Sequence, residues 1–90
     1  MYIRIYDDIS LQINNDETII LDLDTQKYYG VNGLIKVIVD FLYNNEYKLN
    51  DLKRIIIEKY QMKHESIEEV FNKSIDLLIS KKVIEVLNYD

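Results

Sequence analysis

The 90 residues contain no cysteine, which excludes disulfides and thiolate metal sites. Histidine occurs once, at His64, so one chain cannot build a two-histidine metal site. Flanked by Lys63 and Glu65 and with no cysteine to partner it, His64 reads as an exposed residue near a helix start. Glycine occurs twice, at Gly30 and Gly33, too rarely for a glycine-rich phosphate cradle. No G-x-G-x-x-G, P-loop or G-x-S-x-G pattern is present. Arginine is limited to Arg4 and Arg54, and the formal net charge is -5. The basic face with which nucleic-acid binders neutralise phosphates is therefore missing. Lys48, Lys53, Arg54 and Lys59 are interleaved with Asp51 and Glu58, as on a solvated helix face. Long apolar runs are lacking too. The stretch from Leu34 to Tyr43 is broken by Lys36 and Asp40 and falls far short of the ~20 residues of a membrane span. The first eight residues lack the apolar core of a signal peptide. These absences point to a cytoplasmic chain with no membrane partner, no metal and no cofactor.

What remains is a globular composition rich in aliphatic residues and tyrosine, of which there are eight. At this length residues 1–90 form a single domain. Such a domain buries only roughly two-thirds of the surface its unfolded chain exposes. That leaves a modest core and no room for a deep, enclosed active site. The carboxylate pairs Asp7–Asp8 and Asp22–Asp24 sit beside turns, the usual place for solvated Asp, and no cleft sets their pKa values apart for acid–base work.

The first third alternates, and the rest has helical spacing. Ile3 to Tyr6 and Ser10 to Asn14 have the period-2 look of short strands. Asn14-Asn15-Asp16-Glu17 is turn-like. Thr18 to Leu23 and Tyr28 to Val31 form a hairpin across Asp24 to Lys27. Leu23 faces Tyr28 or Tyr29 depending on loop length, and a one-residue slip exchanges the faces of the two tyrosines. In either register one tyrosine points to the core and the other away. Asn32 is placed to cap a first helix reaching about Tyr43, apolar nearly all round and so central to the fold. Asn50 is placed to cap a second, with Leu52, Ile55, Ile56 and Tyr60 at helical spacing. A third begins between His64 and Ser66, where Ser66-Ile67-Glu68-Glu69 has the S-x-x-E capping-box pattern. Its stripe is Ile67, Val70, Phe71, Ser74, Ile75 and Leu78. Val83 to Leu87 closes the chain as a short strand. The expected class is α+β and winged helix-turn-helix-like: an N-terminal three-stranded antiparallel β-sheet followed by three α-helices.

The stretch Ile19-Ile20-Leu21-Asp22-Leu23-Asp24-Thr25-Gln26-Lys27-Tyr28-Tyr29-Gly30-Val31-Asn32 resembles the "LLDLxTGxYYGLN" hairpin of PqqD-like proteins, in particular the standalone leader-binding proteins of lasso-peptide pathways. The order of parts after it is similar as well: an apolar helix, a polar loop, Leu49-Asn50-Asp51-Leu52 opening a second helix, Tyr60 near its end, and an acidic opening from Glu65 to Glu69. The resemblance runs from about Ile9 to Leu87. It departs from the family at Gln26 and Lys82, often Gly in relatives, and at Val70, often acidic. With Lys82, the third helix is expected to close without a left-handed glycine cap.

The resemblance implies a non-catalytic domain that binds the leader segment of a ribosomally synthesised precursor peptide by β-strand addition. It would present that segment to a leader peptidase, a cyclase or another modifying enzyme. The implied contact residues are Lys27, Tyr28, Tyr29, Gly30 and Val31 on the edge strand, with Val70, Phe71 and Ser74 on the third helix. Two rivals stand beside it. One is a winged-helix DNA-binding transcription regulator, which the acidic third helix (Glu65, Glu68, Glu69, Asp76) disfavours. The other is a homodimer or bridging subunit that pairs through the same open edge or through the Tyr2–Tyr6 segment.

Overall fold

The computed structural model describes residues 1–60 and 64–88, with the backbone alone at 64 and 65. The reading of His64 as exposed lies outside the described residues. The chain forms β1 (Tyr2–Ile5), β2 (Ile9–Ile13), β3 (Thr18–Asp22), β4 (Lys27–Val31), α1 (Gly33–Leu42), β5 (Tyr47–Lys48), α2 (Leu49–Tyr60), α3 (His64–Ser80) and β6 (Ile84–Leu87). The class is α+β, and the antiparallel sheet β2-β3-β4 precedes three helices, as expected from the residue pattern.

The alternating segment at Ile3, however, belongs to a second antiparallel sheet, ordered β5-β1-β6. Ile3 is wholly buried, and Ile5 lies opposite the buried Ile84. Burying these side chains draws the N-terminal strand between the two later ones. β1 is thus the middle strand, paired with β6 along its length and with β5 at Tyr2 and Ile3, so those two residues of the Tyr2–Tyr6 segment offer no free edge. Sequence reading could not find β5, because a strand of two residues has no periodicity.

The hairpin register also departs from both alternatives. Asp22 pairs with Lys27, Leu21 with Tyr28 and Ile20 with Tyr29, so Leu23 lies in the turn and faces neither tyrosine. Asp22 is a turn residue here: its Oδ1 accepts the N–H groups of Asp24 at 2.9 Å and Thr25 at 3.2 Å. Gln26 takes the left-handed conformation (φ 61°) that re-enters β4.

The helix starts differ from the cap readings. Asn32 occupies the N-cap of α1 but makes no side-chain capping bond. Gly33 follows it with φ +62°, departing from the regular first turn on which asparagine capping depends. Helix α2 starts at Leu49, directly off β5, and the Leu49 N–H donates to the Met1 carbonyl at 3.0 Å. Asn50 is therefore inside the first turn, as Ser66 is in α3.

The end of α3 closes without glycine, as expected from Lys82. The Lys82 N–H donates to Ile79 O and the Val83 N–H to Leu78 O, each at 3.0 Å, while Lys82 sits at φ 59°. This is a Schellman motif, completed by burial of Leu78 and Val83. A left-handed cap is present, but lysine carries it. Gln26 and Lys82, the two positions where glycine is common in the resembled family, both have positive φ.

The core is built from Ile3, Ile20, Ile38, Val39, Leu42, Leu52, Ile56, Phe71, Ile75, Leu78, Val83 and Ile84, so both sheets and all three helices contribute. One buried polar contact joins β3 to α1. The wholly buried Thr18 hydroxyl donates to Asp40 Oδ1 at 2.6 Å and accepts from Lys36 Nζ at 3.2 Å, while Lys36 Nζ pairs with Asp40 Oδ2 at 2.5 Å. Every polar group of this triad is satisfied, so its burial carries little penalty.

A non-glycine residue in the left-handed region costs roughly 1–2 kcal/mol, against about 0.5–1 kcal/mol for the backbone entropy of glycine. Lys82→Gly should therefore stabilise the fold by about 0.5–1 kcal/mol and raise Tm by several degrees, read by thermal or urea unfolding. An unchanged or lower midpoint would show that the lysine stem compensates through packing.

Candidate functional site

Strand β4 is the end of its sheet: β3 pairs along one side of it, and among the described residues no strand pairs along the other. Its side chains alternate. Tyr29 and Val31 pack against the core, whereas Tyr28 is 73% exposed on the opposite face, with Gly30 beside it. The tyrosine question left open by the sequence is thus resolved, with Tyr29 inward and Tyr28 outward. Lys27 shares the Tyr29 face but is exposed at the strand's start.

The end of helix α3 comes up to the core-facing side of this strand. Lys81, just past its end, places Nζ 5.5 Å from the Tyr29 ring centroid, a cation–π contact. Counting back from Lys81 by four, three and four residues gives Leu77, Ser74 and Val70, one stripe of the helix. Val70 (49% exposed) and Leu77 (41%) are open apolar side chains on that stripe. Ser74 is nearly buried, its hydroxyl donating to Val70 O at 2.8 Å. Phe71 has no exposed surface. The structure thus places Tyr29 and Val31 on the core face of the edge strand, and Val70 and Leu77 as open apolar side chains on the α3 stripe that ends at Lys81, with Ser74 nearly buried between them. It moves Phe71 from groove wall into the core, 100° around the helix from Val70. Leu77 and Lys81 were missed by sequence reasoning. The spacing from Val70 was the available signal, but a stripe on the shoulder of a helix cannot be told from its core face by period alone.

The phenol of Tyr29 is pushed above its ordinary value by burial, with the Asp22 carboxylate adding to the effect. At neutral pH it is an uncharged hydrogen-bonding group in an apolar wall. The edge and shoulder contain no nucleophile–base pair. Asp8, Asp22 and Asp24 bring their carboxylates together at the hairpin turn, as exposed acidic groups commonly do without an ion. Two concavities, of about 610 and 480 Å³, lie elsewhere. One separates β1 and β2 from the end of α1, and the other lies between α1 and the end of α2; neither is lined by any residue of β4 or α3. The chemistry this site supports is the capture of an extended backbone, with apolar side chains received beside it.

No family model matches the chain, and no curated protein matches it. Solved structures do. TbiB1 in complex with the TbiA(β) leader peptide superposes with a TM-score of 0.80 at 20% identity, over 96% of this chain and 99% of that one. Lasso peptide synthetase B1 complexed with the leader peptide superposes with a TM-score of 0.73 at 17% identity, over 93% and 98%. The resemblance read from the hairpin motif is thus borne out at the level of the fold, which these proteins share along nearly their whole length.

Because the folded pKa of Tyr29 lies above that of a free tyrosine (about 10), its contribution to stability is complete below pH ~10. It is lost as the pH rises from there through the folded value. Ultraviolet titration should show a tyrosine ionising later than ordinary ones, and Tyr29→Phe should remove that late step.

Proposed function

We propose that this chain captures the leader segment of a ribosomally synthesised precursor peptide as an added strand along β4, and hands it to a separate modifying enzyme. The observation that carries the proposal is the unpaired edge of β4, reached from the end of α3 by Lys81 over Tyr29, with Val70 and Leu77 exposed on the same stripe of that helix. The similar solved structures, both bound to leader peptides, support it. An edge strand offers unpaired N–H and C=O groups to an extended partner, and flanking pockets supply selectivity.

The strand bonds alone are too weak. About four backbone hydrogen bonds at ~1 kcal/mol net give ~4 kcal/mol, whereas micromolar binding needs about 8 kcal/mol after association costs. Two or three apolar anchors at roughly 1.5–3 kcal/mol each close the difference. Side chains of the added strand that face inward, alongside Tyr29 and Val31, meet Val70 and Leu77. Lys27, Tyr28 and Gly30 line the outward and entry sides. Phe71 and Ser74 serve by fixing the position of the shoulder.

The protein does no chemistry in this scheme; a leader peptidase or cyclase acts on the segment it holds. Such an enzyme has a surface to read. The outward residues Ile19, Leu21 and Tyr28 form an uncharged face that a bound strand would extend. No observation favours DNA reading by α3: its Lys73 is already paired with Glu69, and Glu68 and Asp76 would meet phosphate with like charge.

The test is NMR shift and amide-exchange mapping with a synthetic leader from a precursor encoded beside this chain. Protection should concentrate on Lys27–Val31, with side-chain shifts at Val70 and Leu77; changes confined to α2 would refute the site. Leu77→Asp and Val70→Asp should each weaken binding at least about tenfold, the loss of one anchor, while leaving the fold intact. Phe71→Ala should behave oppositely, costing about 3–5 kcal/mol of stability as a core cavity.

A further inference from the structure

An added strand on β4 sends every second side chain outward, next to Tyr28 and Gly30. Gly30 contributes no side chain, yet the space is not empty. A Cβ built there would lie 2.5 Å from Glu17 Oε2, 2.6 Å from its Cδ and 3.0 Å from Oε1. The Glu17 carboxylate therefore lies across Gly30. The register explains how. Thr18 pairs with Val31 and Ile19 with Gly30, so Glu17 is on the outward face with Ile19, one diagonal step from Gly30. Gly30 has no positive φ, so what glycine provides at this position is room for that carboxylate.

We propose that Glu17, lying across Gly30 at the open edge of β4, is a specificity-determining residue that selects a lysine or arginine at the outward position of the captured peptide beside Gly30. The inference rests on peptide capture at β4 and deepens it. Glu17 is exposed, and among the described residues its carboxylate has no hydrogen-bond or ion-pair partner. The outward residues of the three strands (Ser10, Gln12, Ile19, Leu21, Tyr28 and Gly30) are uncharged, so none of them competes for it. Directly opposed residues on neighbouring strands have Cβ atoms about 4.5–5.5 Å apart. A long basic side chain rising from the added strand beside Gly30 reaches the carboxylate, whereas an acidic one there is repelled. The neighbouring inward position, beside Tyr29, takes an apolar residue. The expected signature is thus a basic residue adjacent in sequence to an apolar anchor. The net charge of -5 favours such a partner at longer range.

The experiment is selection of random peptides displayed on phage against the full chain, followed by affinity measurement with synthetic copies of the winners. Amide exchange identifies those that protect β4. In that set one position should be enriched in Lys or Arg, and replacing it by Gln should weaken binding roughly two- to five-fold, as for an exposed ion pair. The effect should shrink at high salt. Glu17→Gln should abolish the difference between the basic and Gln peptides, and Glu17→Lys should turn the selected position to Asp or Glu. Gly30→Ala supplies a second variant, because its Cβ displaces only the flexible end of Glu17. It should keep strand capture and lose the basic preference. Peptides that protect β4 with no basic preference, or a preference that survives Glu17→Gln, would overturn the role of Glu17 and leave capture standing. Failure of any peptide to protect β4 would overturn capture itself, and this inference with it.

Discussion

Everything distinctive about this molecule depends on the commitment of Tyr29 and Val31 to the core. Once those two side chains pack inward, the pleat of β4 leaves no freedom: Tyr28 and Gly30 must face outward. The strand's second row of backbone groups is left at the margin of the sheet. The sheet ends there, so those groups have no internal strand to satisfy them. An open edge is normally an aggregation liability. Here it is five residues long and begins with an exposed lysine, features that blunt self-pairing while leaving the edge available to a shorter partner.

The same helix serves the core and the site, and the two roles are separated by angle. Phe71, Ile75 and Leu78 are buried, while Val70 and Leu77 stand on the shoulder. The helix is held on its far side, where Lys53 of α2 pairs with Glu68 at 3.2 Å, and at its end by the Schellman closure. A shoulder fixed in this way is preorganised, so little conformational entropy is lost when a ligand docks against it. The Thr18–Asp40–Lys36 contact does the equivalent for the sheet, tying the start of β3 to α1 directly across from Val31. Both walls of the candidate site are therefore anchored independently of any ligand.

Much of this was legible beforehand because it is local. Period-2 alternation located β2, β3 and β4, helical spacing located the three helices, and the YYGVN hairpin carried the resemblance that the shared fold bears out. Each is a property of residues near one another in the chain. The misreadings share the opposite character. Asn32 and Asn50 have the chemistry of caps, but whether they cap depends on where the preceding strand delivers the chain. The hairpin register depends on which residues the turn recruits, and Asp22 is used there twice over.

By itself the sequence determined the elements long enough to show a period, the absence of cysteine chemistry, and the alternation that makes one tyrosine face the core and the next face away. Those follow from bonding geometry and residue type, which need no distant partner. Only the tertiary structure decided which tyrosine is which, that β1 lies between β5 and β6, that Phe71 is core while Leu77 is surface, and that Glu17 lies over Gly30. These are contacts between residues far apart in the chain, or on one helix but different shoulders. Their outcome is set by how the whole surface packs, because burial is shared among all the elements at once.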